Sequence, residues 1–166
     1  MTPASSSSLD GLYQQVILDH ARERHGRGLR AADGGGASGE SRQYNPLCGD
    51  EVTVRVVLAA GDAGDDVAVC DVSWTGEGCS ISQAATSVLH DLVVGQPVER
   101  ARDLLGSYRE MVRSRGQVEP DESVLGDAVA FAGVGRHANR VKCAMLGWTA
   151  FEDALLHAEA AKGADR

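Results

Sequence analysis

The stretch Val67-Ala68-Val69-Cys70-Asp71-Val72-Ser73-Trp74, continued through Gly76-Glu77-Gly78 into Cys79-Ser80-Ile81-Ser82-Gln83-Ala84-Ala85-Thr86-Ser87-Val88-Leu89, changes its hydrophobic period within a few residues. In the first part Ala68, Cys70, Val72 and Trp74 alternate with Val67, Val69, Asp71 and Ser73, the period of two expected of a strand. After the glycines, Ile81, Ala84, Ala85, Val88, Leu89, Leu92 and Val93 follow the i, i+3, i+4 spacing of an amphipathic helix. Ser80 and Gln83 match a capping box at its start, and Gly95 and Pro97 mark its end. A strand that turns directly into a helix points to a mixed architecture.

Upstream, Val52, Val54, Val56 and Leu58 share one face of a second period-two run, and the Gly/Asp-rich turn Gly61 to Asp66 joins the two runs as an antiparallel hairpin. No third strand is evident. Downstream, Ala101, Leu104, Leu105, Tyr108 and Met111 predict a helix over 98–112, Arg113 to Pro120 reads as a polar linker, and Val124, Leu125, Ala128, Val129 and Phe131 fit a short helix that Gly133 and Gly135 interrupt. Val141, Met145, Trp148, Phe151 and Leu155 mark a last helix with Cys143 in its early turns. At the other end, Leu9, Leu12, Tyr13, Val16, Ile17, His20 and Ala21 form an amphipathic helix with Ser8 as its N-cap, after a polar leader at 1–8. The glycines of 26–43 predict a mobile loop, and 161–166 should fray. One domain over 9–160 accounts for the pattern.

With 166 residues the chain suits a single core, and with only 4% aromatic residues that core must rest on Val, Leu, Ala and Ile. A formal net charge of −8 disfavours nucleic acid, whose phosphates require clustered Lys and Arg. The opening residues show neither a basic n-region nor an apolar h-region, and no apolar run reaches membrane-spanning length, so the chain is read as cytoplasmic with no membrane partner. In a reducing compartment its four widely spaced cysteines are expected to hold metal or do chemistry rather than pair as disulfides.

Cys48 and Asp50 flank Gly49, and in an extended segment they would face the same way, with Gly49 allowing close approach to an ion. Cys79 immediately precedes the best-patterned helix, where unpaired amides favour a thiolate. Cys143 follows Arg140 and Lys142, whose positive charge would favour its deprotonation and partly offset the negative charge of the thiolates and the carboxylate. Three thiolates and one carboxylate suit tetrahedral zinc, with Cys48, Asp50, Cys79 and Cys143 as the candidate ligands. Cys70, alternating with Val72 and Trp74, is read as a packed structural residue. His20, His90 and His157 fall in helical patterns and suit ordinary surface or partly buried roles, and His137 is a weaker competitor for metal. Arg22, Arg24 and Arg27 read as a solvated helix end.

Taken in order, the Leu12-Tyr13 to His20 helix, Asn45-Pro46-Leu47-Cys48-Gly49-Asp50, Gly76-Glu77-Gly78-Cys79-Ser80-Ile81-Ser82 and Lys142-Cys143 resemble the landmarks of the NifU/IscU family of iron–sulfur cluster assembly proteins, most closely its SufU branch. The resemblance implies an α+β, SufE/NifU-like fold, a small antiparallel sheet packed against several helices. It also implies metal ligation by Cys48, Asp50, Cys79 and Cys143 and work with a cysteine desulfurase of SufS type. Lys142 stands where IscU scaffolds carry a His, Ala138-Asn139-Arg140-Val141 departs from their chaperone-docking segment, and the interval 116–139 is similar to the SufU insertion. Glu23-Arg24-His25-Gly26-Arg27 replaces the usual exit from the first helix.

On that footing the expected function is zinc-dependent sulfur transfer in the SUF system. Cys48, on a Gly-flanked loop, is the sulfur acceptor, Arg140 and Lys142 steady the negative charge, and a downstream scaffold or low-molecular-weight thiol receives the sulfur. Two other readings are an IscU-like scaffold building a [2Fe-2S] cluster on the same ligands, and a zinc-stabilised interaction module.

Overall fold

The computed structural model describes residues 3–31, 36–59 and 67–164, with side chains described from Leu9 to Gly163 within those ranges. Three strands, β1 (Ser38–Asn45), β2 (Asp50–Leu58) and β3 (Val69–Glu77), form one antiparallel sheet in the order β1-β2-β3. The helices are α1 (Pro3–Glu23), α2 (Ser80–Val93), α3 (Val98–Arg113), α4 (Glu122–Leu125), a 3₁₀ helix (Gly126–Arg136) and α5 (Ala138–Ala164). Helix α5 lies along β1 and β2 and also packs on α2, which in turn holds α1. The α+β architecture expected from the sequence is the one observed.

The hairpin of β2 and β3 forms as its alternation predicts, with Val52, Val54, Val56, Leu58, Val72 and Trp74 buried. Its turn, expected at Gly61 to Asp66, lies outside the described residues. One residue breaks the alternation. Val57 faces Asp71 but Leu58 faces Val69, so Cys70 is the extra residue of a bulge. The bulge reverses the phase of the strand, burying Val69 and exposing Cys70, and the expectation that Cys70 packs inside is corrected.

Strand β1 corrects the mobile-loop reading of 26–43, of which 32–35 lie outside the described residues. Its inward positions carry Gly39, Ser41, Gln43 and Asn45, not large apolar side chains. The backbone of α5 comes so close that a Cβ on Gly39 would stand 2.2 Å from the Ala154 carbonyl oxygen. Small and polar residues are therefore what this face requires. Its outward face is tied to β2 by Arg55 on Glu40 (2.7 Å) and by Arg42 on Glu51.

Helix α1 begins at Pro3, well before Ser8, so Ser8 is not its N-cap and the leader expected over 1–8 is helical from residue 3 onward. Proline suits a first helical position because its missing N–H would have no partner there. The segment after α3 contributes to the core through Leu125, Ala128, Val129, Phe131 and Val134. Trp74, Tyr108, Phe131, Trp148 and Phe151 sit at its centre, while Tyr44 is exposed. Tyr108 stacks on Trp148 with ring centroids 3.9 Å apart, its hydroxyl donates to the Ala144 carbonyl (2.8 Å), and the Trp148 indole donates to the Ala85 carbonyl (3.0 Å). Each buried ring thereby also satisfies its polar atom. Among the described residues no helix is long and apolar enough to cross a membrane.

Candidate functional site

Four elements deliver the four candidate ligands to one end of the sheet. Cys48 lies in the turn 46–49 between β1 and β2, which the facing pair Asn45 and Asp50 closes. Asn45 shapes this turn: its Oδ1 accepts from the Leu47 amide (3.1 Å) and its carbonyl from the Gly49 amide (2.8 Å). Gly49 has φ of +75°, the left-handed region that glycine enters without steric cost, and a Cβ there would meet nothing within 4 Å. Gly49 therefore serves to turn the chain. That corrects the extended Cys48-Gly49-Asp50 segment expected from the sequence.

Asp50 opens β2 and is buried at 4% exposure, Cys79 is the N-cap residue of α2, and Cys143 is buried in the second turn of α5. Cys48 and Cys79 are exposed. The capping box expected from Ser80 and Gln83 does not form, because α2 is capped one residue earlier. The Asp50 carboxylate takes the role of the cap instead, accepting from the Cys79 amide through Oδ1 at 3.2 Å. Its Oδ2 stands 3.4 Å from the Cys79 thiol. The Cys48 and Cys143 sulfurs are 3.7 Å apart, and ligand atoms of Cys48, Asp50 and Cys143 all lie within 4.8 Å of one another.

These distances fit a metal. Thiolates about 2.3 Å from a tetrahedral zinc ion stand roughly 3.7 Å from each other, whereas a disulfide would need about 2.05 Å. The donor set of three sulfurs and one oxygen is also one that zinc accepts.

The electrostatics of the pocket centre on Asp50. Burial pushes its carboxyl up, but hydrogen bonds from the thiols of Cys48, Cys143 and Cys79 and from the Cys79 amide outweigh this, and the net shift is below the ordinary carboxylate value. Cys143 moves the other way. Burial, the Asp50 carboxylate and the neighbouring cysteines together hold its thiol well above the ordinary value, so without a bound cation it keeps its proton at neutral pH.

Arg140 and Lys142 are exposed on the first turns of α5, and among the described residues neither enters an ion pair. The structure brings them near Cys143 along the helix but not into contact with a thiol. Lys142 instead lines an open groove of about 870 Å³ together with Arg113, Arg115 and Arg136. The sequence reading missed those arginines because they fall in a linker and a broken helix. It also missed Ser82, whose hydroxyl donates to the Cys79 carbonyl (3.1 Å) and stands 3.9 Å from the Cys79 sulfur. Its position three residues after the N-cap was the available signal. His137 is exposed and its carbonyl accepts from the Arg140 amide (2.9 Å) at the start of α5; it is not among the grouped ligand atoms.

Residues 12–157 match the NifU-like N terminal domain family. The chain is 35% identical to the iron-sulfur cluster assembly scaffold protein IscU of Streptococcus pyogenes serotype M1, over 90% of this chain and 86% of that protein. It is 33% identical to the zinc-dependent sulfurtransferase SufU of Bacillus subtilis (strain 168), over 93% of this chain and 96% of that protein. It also superposes, with a TM-score of 0.65 and 31% identity over 85% of this chain and 94% of the other, on the crystal structure of a putative iron-sulfur cluster assembly scaffold protein for the SUF system from Fervidobacterium islandicum AW-1. The chain therefore belongs to the NifU-like N-terminal domain family, as a SufU/IscU-type member.

Proposed function

We propose that this protein acts in iron–sulfur cluster assembly as a zinc-dependent sulfur acceptor, with Cys48, Asp50, Cys79 and Cys143 holding the zinc and Cys48 taking sulfur from a cysteine desulfurase. The observation that carries this reading is the asymmetry of the two closest sulfurs. Cys143 is buried in a helix, while Cys48 is exposed at the tip of a hairpin turn 3.7 Å away. A ligand on a turn can leave the set at less structural cost than one inside a helix.

Bound zinc would supply a soft Lewis acid that keeps the thiols deprotonated at neutral pH. Cys48, once free as a thiolate, attacks the outer sulfur of the desulfurase persulfide. The new S–S bond forms on Cys48, the old one breaks, and the desulfurase cysteine leaves as a thiolate, so no net oxidation occurs. Asp50 keeps its charge through the step and holds the N-terminus of α2, and with it Cys79, in place. Arg140 and Lys142, exposed and without carboxylate partners among the described residues, are available to offset the charge of the incoming persulfide. The partner is of SufS type, the sulfur passes on to a scaffold or small thiol, and the reaction takes place in the cytoplasm.

The test is sulfide release by a cysteine desulfurase with thiol reductant and no iron. Strong stimulation by the wild-type protein and none by Cys48→Ala is the expected result; equal stimulation by both would remove Cys48 from the role. The 35% identity to a protein named as an IscU scaffold supports a second reading, assembly of a [2Fe-2S] cluster on the same ligands. Visible absorbance that develops with iron and sulfide and survives desalting would favour it.

A further inference from the structure

At the far end of α2 from Cys79, a second group of ligands converges that plays no part in sulfur chemistry. A nitrogen of His20, a nitrogen of His25 and a carboxylate oxygen of Asp91 lie within 4.8 Å of one another. Asp91 is twelve residues after Cys79 on α2, which at about 1.5 Å per residue puts it roughly 18 Å from the thiolate site.

The arrangement has the layered order of a metal site. His20 Nε2 meets Asp127 Oδ2 (3.0 Å), and its Nδ1 bonds the Ser87 hydroxyl on α2 (2.8 Å). His25 Nε2 meets Glu23 Oε2 (2.9 Å), and its Nδ1 meets Asp91 Oδ2 on α2 (2.7 Å). Each ring thus has one nitrogen backed by a carboxylate and the other turned toward α2, the pattern in which carboxylates orient metal-binding imidazoles. The two rings stand edge to face with centroids 5.1 Å apart.

His25 is also fixed through its backbone. Its amide donates to Ser87 Oγ (2.9 Å), its carbonyl accepts from the Trp74 indole (2.7 Å), and the residue before it, Arg24, is held at φ +49°. A non-glycine residue in that region is strained and persists only where its surroundings impose it. His20 is buried at 4% exposure, whereas the side chains of His25 and Asp91 are part exposed, which leaves an open approach on one side.

From this geometry we propose a second metal site, in which His20, His25 and Asp91 bind a divalent transition ion such as zinc and clasp the exit of α1 to α2. Two imidazoles and a carboxylate suit zinc, with the fourth position open to water. Tetrahedral ligands about 2.0–2.1 Å from zinc are roughly 3.3 Å apart, so the ion enters by opening the 2.7 Å His25–Asp91 hydrogen bond, whose proton goes to solvent, and the 2.8 Å His20–Ser87 hydrogen bond, whose hydroxyl turns to another acceptor. The site is independent of the sulfur-transfer reading, since none of its residues belongs to the thiolate set.

The experiment is equilibrium dialysis of the full chain against Zn²⁺ near pH 7.5, comparing wild type with His25→Gln and Asp91→Asn and following thermal unfolding in parallel. Wild type should take up two equivalents. Each variant should keep the tighter one and bind the second at least tenfold more weakly, and only wild type should gain unfolding temperature from the second equivalent. Zinc uptake that His25→Gln and Asp91→Asn leave unchanged in amount and tightness overturns the proposal and leaves an ion-pair cluster that locks α1 onto α2, whereas a single wild-type equivalent that both variants weaken would support this site and count against the thiolate one. Should His25→Gln unfold early, Asp91→Asn and the wild-type stoichiometry decide the matter, because Asp91 lies part exposed on the surface of α2.

Discussion

Asp50 and Cys79 are joined twice: one carboxylate oxygen accepts from the Cys79 backbone amide at 3.2 Å, and the other stands 3.4 Å from its sulfur. The residue proposed as the hard ligand of the metal is thus also the cap of the helix that presents a soft one. Asp50→Ala should damage both functions. Loss of the cap should cost about 1–2 kcal/mol in the metal-free protein, and zinc affinity should fall by about 10- to 100-fold or more. Thermal unfolding of the metal-free chain and zinc dialysis measure the two effects separately, and an unchanged melting curve would show that the cap is dispensable.

Metal loading should release protons. The Cys143 thiol is held above its ordinary value by burial and by the Asp50 carboxylate, so at neutral pH it is protonated in the metal-free protein. Binding to its sulfur must therefore displace at least that proton, and zinc affinity should weaken as pH falls. Titration calorimetry in buffers of different ionisation enthalpy counts the protons; a count of zero would exclude Cys143 as a ligand.

Arg30 grips Asp71 through two parallel hydrogen bonds of 2.8 Å, which lower the Asp71 carboxyl below its ordinary value despite partial burial. A depressed folded-state value means stability that is present above the unfolded value near 3.9 and disappears as pH falls through the folded one. Asp71→Asn should therefore cost about 0.5–1 kcal/mol near pH 7, and the difference from wild type should close below about pH 4. Denaturant unfolding at the two pH values is the measurement, and a gap that stays constant would mean the pair contributes through shape alone.

Phe131 is fully buried in the 3₁₀ helix, at 68° and 6.1 Å from the Tyr108 ring. If this segment were only a linker, truncating the ring would matter little. Phe131→Ala should instead cost about 3–5 kcal/mol, measured by urea unfolding.

The β2–β3 hairpin, α2, α3 and α5 were legible in the sequence because each carries an apolar stripe at regular spacing, and the structure groups ligand atoms of Cys48, Asp50 and Cys143 within 4.8 Å, with the Cys79 sulfur 3.4 Å from Asp50. What was not legible follows from close packing and from register. Strand β1 turns glycine, serine and asparagine inward because the backbone of α5 lies against it, so it carries no hydrophobic alternation to read. Cys70 seemed to continue an inward series, but a single bulge residue shifts the phase, and nothing in composition marks where a bulge falls. The capping box failed because α2 starts one residue earlier than the local signal suggests: the Gln83 amide that Ser80 would have accepted already bonds the Cys79 carbonyl (3.1 Å).

The two sulfurs that touch at 3.7 Å are 95 residues apart in the chain, one on a hairpin turn and one on the final helix. A cation shared between them closes a loop of that length, and a crosslink of such span restrains the unfolded chain by about 4.7 kcal/mol in the chain-entropy description. Loading state and folding stability would then be the same variable seen from two sides. A partner that draws Cys48 out of the set would release a sulfur and loosen one end of that loop, while Asp50, two residues on, would keep it closed.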